Sequence, residues 1–269
     1  MGDRPGDSAL AHLRAGLASA AFVALVGGFA VWSQGPPQPR PADAPPAVFS
    51  AARAMRHVEA IAREPHPLGS PASEKVRAYI VSELQALGLE PQIQIPRSTG
   101  AADSRSGPAR SPSRDDVRNI VARWRGAGPA TKKALLLSAH HDSVRVGPGA
   151  SDDASGVAAI LEALRALSAG PALQRDVIIL ITDGEEAGLF GAGVFADEHP
   201  WSKDVGVVLN LDARGNSGPS YMFETSEGNG WLIEQVAAAL PHPLATSLTV
   251  DVYRLLPNDT DLKIGRAHV

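Results

Sequence analysis

The sequence contains no cysteine among its 269 residues, which excludes both a disulfide framework and a thiolate metal site. It also lacks a charge excess. The formal net charge is −4, and no basic stripe interleaved with aromatics is present, so nothing provides an electrostatic footprint for nucleic acid. A serine nucleophile elbow is absent, because Ser138 and Ser143 have no flanking glycines. Gly147, Gly149 and Gly156 allow tight turns and close helix packing, but they do not form a dinucleotide fingerprint. No internal repeat is visible. The missing cysteines do not fix the compartment, since a chain of this length can bury a sizeable core without staples.

One long apolar run is present. From Ala15 to Trp32 no residue is charged, and a span of about 18 residues lies at the lower limit for crossing a bilayer. Arg14 precedes it and the next basic residue is Arg40. That asymmetry predicts a cytoplasmic segment 1–14, a signal anchor over 15–33, and export of the chain beyond it. The stretch QGPPQPRPADAPP reads as a stiff, extended linker over 34–47. A catalytic domain is expected over 48–263.

Within that domain, apolar spacing predicts helices over Ala47 to Ala62 and from Ser70 to about Leu87, then a strand over Glu90 to Ile95. The segment RSTGAADSRSGPARSPSRDD is too polar to pack and reads as a mobile loop. Strands over Asn119–Trp124, Ala134–Ala139, Val177–Thr182 and Val205–Leu211 then alternate with helices over Ser155–Ser168, Gly188–Glu198 and Trp231–Leu240. This alternation predicts an α/β fold whose mixed, mostly parallel sheet carries helices on both faces.

Three of those strands end in chemistry. Ala134 to Leu137 leads into AHHDSV and GPGASDDASG, Val177 to Thr182 into DGEEAG, and Val205 to Leu211 into Asp212. In an open α/β sheet the carboxyl edge is where ligands sit, and carboxylates converging with an imidazole suit a divalent metal of the zinc type. Peptide hydrolysis needs an activated water, a polarised carbonyl and a proton shuttle. Two metals sharing a carboxylate can clamp a hydroxide between them. Asp152 would be that bridge, His140 and Asp212 would complete one shell, and Glu186 would bind the second metal. Glu185 would take the water's proton and pass it to the leaving amine, with Asp142 placed to orient an imidazole. Each residue alone has an ordinary reading: a helix cap for Asp152 and Asp153, a turn for Asp212, a dipole-favoured helix start for the glutamates. His141 reads as packing beside the site. His57, His66, His199 and His242 read as turn or capping residues, with His66 also placed to line the cleft.

With PHPLGS (Pro65 to Ser70), AHHDSV, GPGASDDASG, DGEEAGLFG, HPW (His199 to Trp201), LNLDARG and LPNDTD (ending at Asp261) in view, the chain resembles the co-catalytic di-zinc aminopeptidases of metallopeptidase family 28. It is most similar to their membrane-anchored branch of endoplasmic-reticulum and vacuolar membrane proteases. The resemblance runs from about Val48 to Lys263. It implies the three-layer zinc exopeptidase sandwich, two zinc ions, peptide substrates on the exported side of a membrane, and no nucleic-acid partner. It carries His140, Asp152, Glu186 and Asp212 over as metal ligands and Glu185 and Asp142 as catalytic residues, with a cis peptide between Asp152 and Asp153.

The family's fifth ligand is a histidine beyond the NDTD segment, and His268 follows Asp261 too soon to be it. The tail KIGRAHV can be encoded by AAG ATC GGA AGA GCA CAC GTC, which contains a sequencing-adapter sequence. Residues 264–269 are therefore expected to be an artefact, the last strands to be missing, and the second metal site and the activity of this fragment to be impaired. Two other functions share the fold: a non-catalytic receptor or scaffold ectodomain, and a single-zinc glutaminyl cyclase-like acyltransferase. The intact ligand and glutamate set argues against the first, and PHPLGS and LPNDTD argue against the second.

Overall fold

The run VIILIT, residues 177–182, is buried at every position because it forms the middle of a sheet covered on both faces. The computed structural model describes residues 5–33, 35–97, 112–129, 132–213, 215–241, 243–256 and 259–262. Its five strands are β1 (Gln92–Gln94), β2 (Asn119–Trp124), β3 (Ala134–His140), β4 (Val177–Thr182) and β5 (Val205–Asn210), in the order β1-β2-β4-β3-β5. β3 runs parallel to both β4 and β5, whereas β2 is antiparallel to β4 and β1. The sheet is mixed and parallel in its core, as expected.

The helices are α1 (Pro5–Ser33), α2 (Ala51–Ile61), α3 (Pro71–Ala86), α4 (Ala154–Ser168), α5 (Phe190–Glu198), α6 (Gly230–Ala239) and α7 (Ser247–Leu255). Strand alternation sorts the core into two layers. Ile120, Ala122, Val177, Ile179 and Ile181 pack under Ile61, Val76, Ile80, Leu84, Ile160 and Leu164 of α2, α3 and α4. On the opposite face, Val121, Leu136, Ile178 and Leu180 pack against Ala192, Phe195 and Ala196 of α5. The result is the three-layer α/β sandwich.

Capping chemistry sets the helix boundaries. α2 starts at Ala51 rather than Ala47, because the Ser50 hydroxyl accepts from the Arg53 amide and ends the extended segment before it. Ser70 caps α3 in the same way, and Pro71 occupies its first position. Gly88, at φ +79°, lets the Leu89 amide turn back onto the Leu84 carbonyl. β1 keeps only three residues of the strand predicted over Glu90–Ile95. α7 has no counterpart among the predicted elements. Of the expected mobile loop, residues 98–111 lie outside the described residues, while Arg114–Asp116 forms a 3-10 turn closed by the Ser113–Asp116 capping box. His242, Pro257, Asn258 and the tail from Lys263 also lie outside them.

α1 contains a 22-residue stretch, His12–Ser33, that is long and apolar enough to cross a membrane and has none of its surface buried. The stretch after it, expected to be a linker, is hydrogen-bonded to α2 and α4 from Arg40 onward. Pro41, Pro45 and Pro46 have no amide hydrogen for a ladder of their own, and donors from the domain satisfy the carbonyls instead.

Candidate metal centre

β3, β4 and β5 end at one rim of the sheet. His140 is the last residue of β3, and its amide donates to Asp153 Oδ2 at 3.2 Å. The other Asp153 oxygen, Oδ1, accepts from the Gly156 amide at 3.0 Å and so caps α4. The two adjacent aspartates therefore divide their work. Asp153, fully buried, holds the helix start against the strand end, while Asp152 is turned outward to the rim. The peptide bond between them is cis.

The candidate ligands gather there. Ligand atoms of His140, Asp152 and Asp212 all lie within 4.8 Å of one another, and His140 Nε2 is 3.0 Å from Asp152 Oδ1. On the other side of the ring, Nδ1 lies 3.0 Å from the Asp142 carbonyl and 3.6 Å from its carboxylate. That arrangement favours a proton on Nδ1 and leaves the Nε2 lone pair for a cation. The Asp142 carboxylate also reaches across to the β4 side, accepting the amides of Glu185 at 3.0 Å and Glu186 at 3.2 Å. It thus fixes the backbone of both glutamates relative to the imidazole. Glu186 is exposed and stands beside the trio, with Asp152 as its strongest charged neighbour.

The electrostatics of the site call for a positive ion. Burial pushes the Glu185 carboxyl up to about 8, with Asp261 and Asp212 adding to the shift. Burial raises Asp153 well above the carboxylate range, and Asp212 adds to it. Glu186, exposed at its surface, is raised by partial desolvation and by the Asp152 charge. Burial works to lower His140, but its contacts with Asp142 and Asp152 outweigh that and raise it. One imidazole thus faces a surplus of carboxylates. Hard oxygen donors with a single nitrogen fit zinc.

Asp261 is a site residue that the sequence reading did not single out, although LPNDTD was among its markers. It is buried, its Oδ2 is hydrogen-bonded to the Thr182 hydroxyl, and its Oδ1 has no hydrogen-bond partner. Thr182 Oγ1 also lies 3.2 Å from the Ala139 carbonyl. The Thr182 hydroxyl donates to Asp261 Oδ2, which favours the carboxylate. Burial raises this carboxyl to about 6. Of the remaining histidines, His141 is buried away from the trio with Nε2 3.4 Å from the Arg118 carbonyl. His57 bonds Tyr79, His66 sits near the Glu64 carbonyl, and the His199 ring accepts from the Trp201 amide.

The sequence matches the profile of peptidase family M28 over residues 119–266, more than half of its length. The chain belongs to this metallopeptidase family. It is 31% identical to mouse endoplasmic reticulum metallopeptidase 1 over 222 residues, which cover 79% of this chain and 24% of the mouse protein. It is 32% identical to the vacuolar membrane protease of Candida dubliniensis over 206 residues, covering 76% of this chain and 22% of that protein. The chain thus spans about a quarter of the length of these relatives. Among solved structures, an aminopeptidase from Aneurinibacillus sp. strain AM-1 superposes with a TM-score of 0.60 at 15% identity, covering 81% of this chain and 83% of that one. Porphyromonas gingivalis glutaminyl cyclase superposes with a TM-score of 0.56 at 25% identity, covering 78% and 81%. In this M28 chain AHHDSV, GPGASDDASG and LNLDARG supply His140, Asp152 and Asp212 to the rim where these residues meet, whereas HPW precedes the amino end of β5, at the opposite end of the sheet.

Proposed function

We propose that this M28 chain is the peptidase part of a membrane-anchored zinc aminopeptidase. His140, Asp152 and Asp212 hold one zinc ion, Asp152 and Glu186 contribute to a second, Glu185 is the general base, and α1 is an anchor that leaves the peptidase domain on the exported side. The observation that carries this reading is the convergence of His140, Asp152 and Asp212 ligand atoms within 4.8 Å at the carboxyl rim. Bound zinc supplies Lewis acidity and a lowered pKa for water.

The protein's own groups do the rest. Asp142 locks the His140 ring through Nδ1 and ties down the Glu185 amide, which sets the distance between ligand and base. Glu185, its amide held by Asp142 and its carboxyl beside the trio, takes a proton from water and returns it to the departing amine.

Glu185→Gln should lower turnover of aminoacyl substrates by about 10²–10⁴-fold, the usual worth of a general base, with zinc content unchanged. Peptides with a free N-terminus should lose their first residue, and N-acetylated ones should not. Efficient internal cleavage of acetylated peptides would overturn the exopeptidase reading. Cyclisation of N-terminal glutamine without hydrolysis would replace it with the acyltransferase.

A further inference from the structure

The strongest unassigned feature lies on α2 and α4, away from the rim. Residues 40–50 close into a loop whose carbonyls are collected by two arginines and one serine. Arg53 Nη1 donates to the carbonyls of Ala42 and Ala44 at 2.7 and 2.9 Å, and Nη2 to that of Val48 at 2.6 Å. Arg165 donates to the carbonyls of Pro46 and Val48 at 2.7 and 3.1 Å. The Ser50 hydroxyl meets the carbonyls of Arg40 and Pro41, and the Ala52 amide also donates to Arg40. Behind them sits Glu162, fully buried, which accepts from Arg53 Nε at 3.0 Å, from the Ser50 amide at 2.8 Å, and from Arg165 Nε and Nη2 at 2.6 and 2.8 Å. A buried carboxylate with this many donors holds both guanidinium groups in fixed orientations. A flexible linker would need none of this.

We propose that residues 40–50 are a strap that fixes the attachment point of the N-terminal anchor on the peptidase domain, so that only the short connector 34–39 separates domain and membrane and the metal centre is turned away from the point of attachment. This rests on the reading of α1 as an anchor. Six residues separate Ser33, the end of α1, from Arg40, and as polyproline they reach about 19 Å. α4 starts at the rim, where Asp153 caps it. Glu162 and Arg165 lie eight and eleven residues beyond Ala154, about 12 and 16 Å along the helix axis. The tether therefore leaves the domain from the part of α4 remote from the carboxylates. A metal centre facing the aqueous side takes soluble peptide ends and not segments embedded in the bilayer.

The absence of cysteine makes the test direct. The full chain in liposomes is spin-labelled at Asp43→Cys and Ser168→Cys, both exposed positions. The two labels should give one narrow distance distribution, which Arg53→Ala should broaden. Arg165→Ala, at a partly exposed site, keeps the test valid if the Arg53 change unfolds the domain. It should speed proteinase K cleavage within 40–50 at least about tenfold, the factor that 1.4 kcal/mol of lost docking produces. A broad distribution in the unmodified protein, or no change in either variant, overturns the strap. A labelled chain that keeps its narrow distribution but fails to float with liposomes overturns the anchor reading alone.

Discussion

Asp142 shows how one side chain can tie a site together. Its carbonyl and carboxylate face the His140 ring, and its two carboxylate oxygens accept the Glu185 and Glu186 amides. Burial works to raise its pKa, but His140, His141 and the Glu185 amide outweigh that and lower it, so it stays ionised at neutral pH. Asp142→Asn preserves the shape but puts an amide donor where an acceptor is needed. Loss of a partner that orients a metal ligand costs 10–100-fold in affinity or activity, so zinc affinity measured by competition with a chelator should fall by about that factor. An unchanged affinity would mean that the backbone carbonyl alone orients His140.

At the scale of elements, the sheet was legible because β4 and β2 are runs of β-branched and apolar residues with sharp ends, and β2 and β4 were placed to the residue. α4 was legible through its apolar stripe. The ends of α2 and β1 were less so, because a cap or a neighbouring strand decides them and neither appears in hydrophobic periodicity. Asp142 reaching both glutamates, Asp153 capping α4 against His140, and Asp261 under Thr182 are contacts across 43, 13 and 79 residues of sequence, which no local pattern encodes. The approach of α5 to the sheet was hidden for the same reason. A Cβ on Gly191 would lie 2.4 Å from Asn119 Oδ1, 2.6 Å from the Asp183 carbonyl oxygen and 2.8 Å from its nitrogen. Backbone cannot yield as a side-chain tip can, so Gly191→Ala should destabilise by about 1–3 kcal/mol through overpacking. Gly193→Ala, on the same helix with only Arg114 Nη1 at 3.4 Å, should be neutral or stabilising by up to about 1 kcal/mol. Urea midpoints with unchanged slopes would report both effects, and equal midpoints for the two variants would refute the close-approach argument.

For the whole molecule, the concentration of acids at one rim couples stability to pH and to zinc. Asp261 has its carboxyl raised by burial to about 6 and Glu185 to about 8, against ordinary values of 3.8 and 4.5. A raised acid binds more protons folded than unfolded, so stability falls with rising pH between the unfolded and folded values and is level above. For these two groups the window runs from about pH 4 to about pH 8. The zinc-free protein should therefore melt at progressively lower temperature from pH 5 to pH 8, even though most proteins are near their most stable there. Zinc should reverse the trend, because a cation among the carboxylates removes the reason they hold protons. Saturation to 100 times Kd adds about 2.7 kcal/mol, which for a domain of this size raises the melting temperature by about 5–10 °C. That gain should be largest at pH 8 and shrink toward pH 5, where protons compete for the ligands. Scanning fluorimetry with and without chelator across that range separates the cases. A zinc-free protein whose melting temperature is flat or rises to pH 8 would show that the rim carboxylates are not the strained charges proposed, and a zinc effect that survives Asp152→Asn and Asp212→Asn together would place the ion elsewhere.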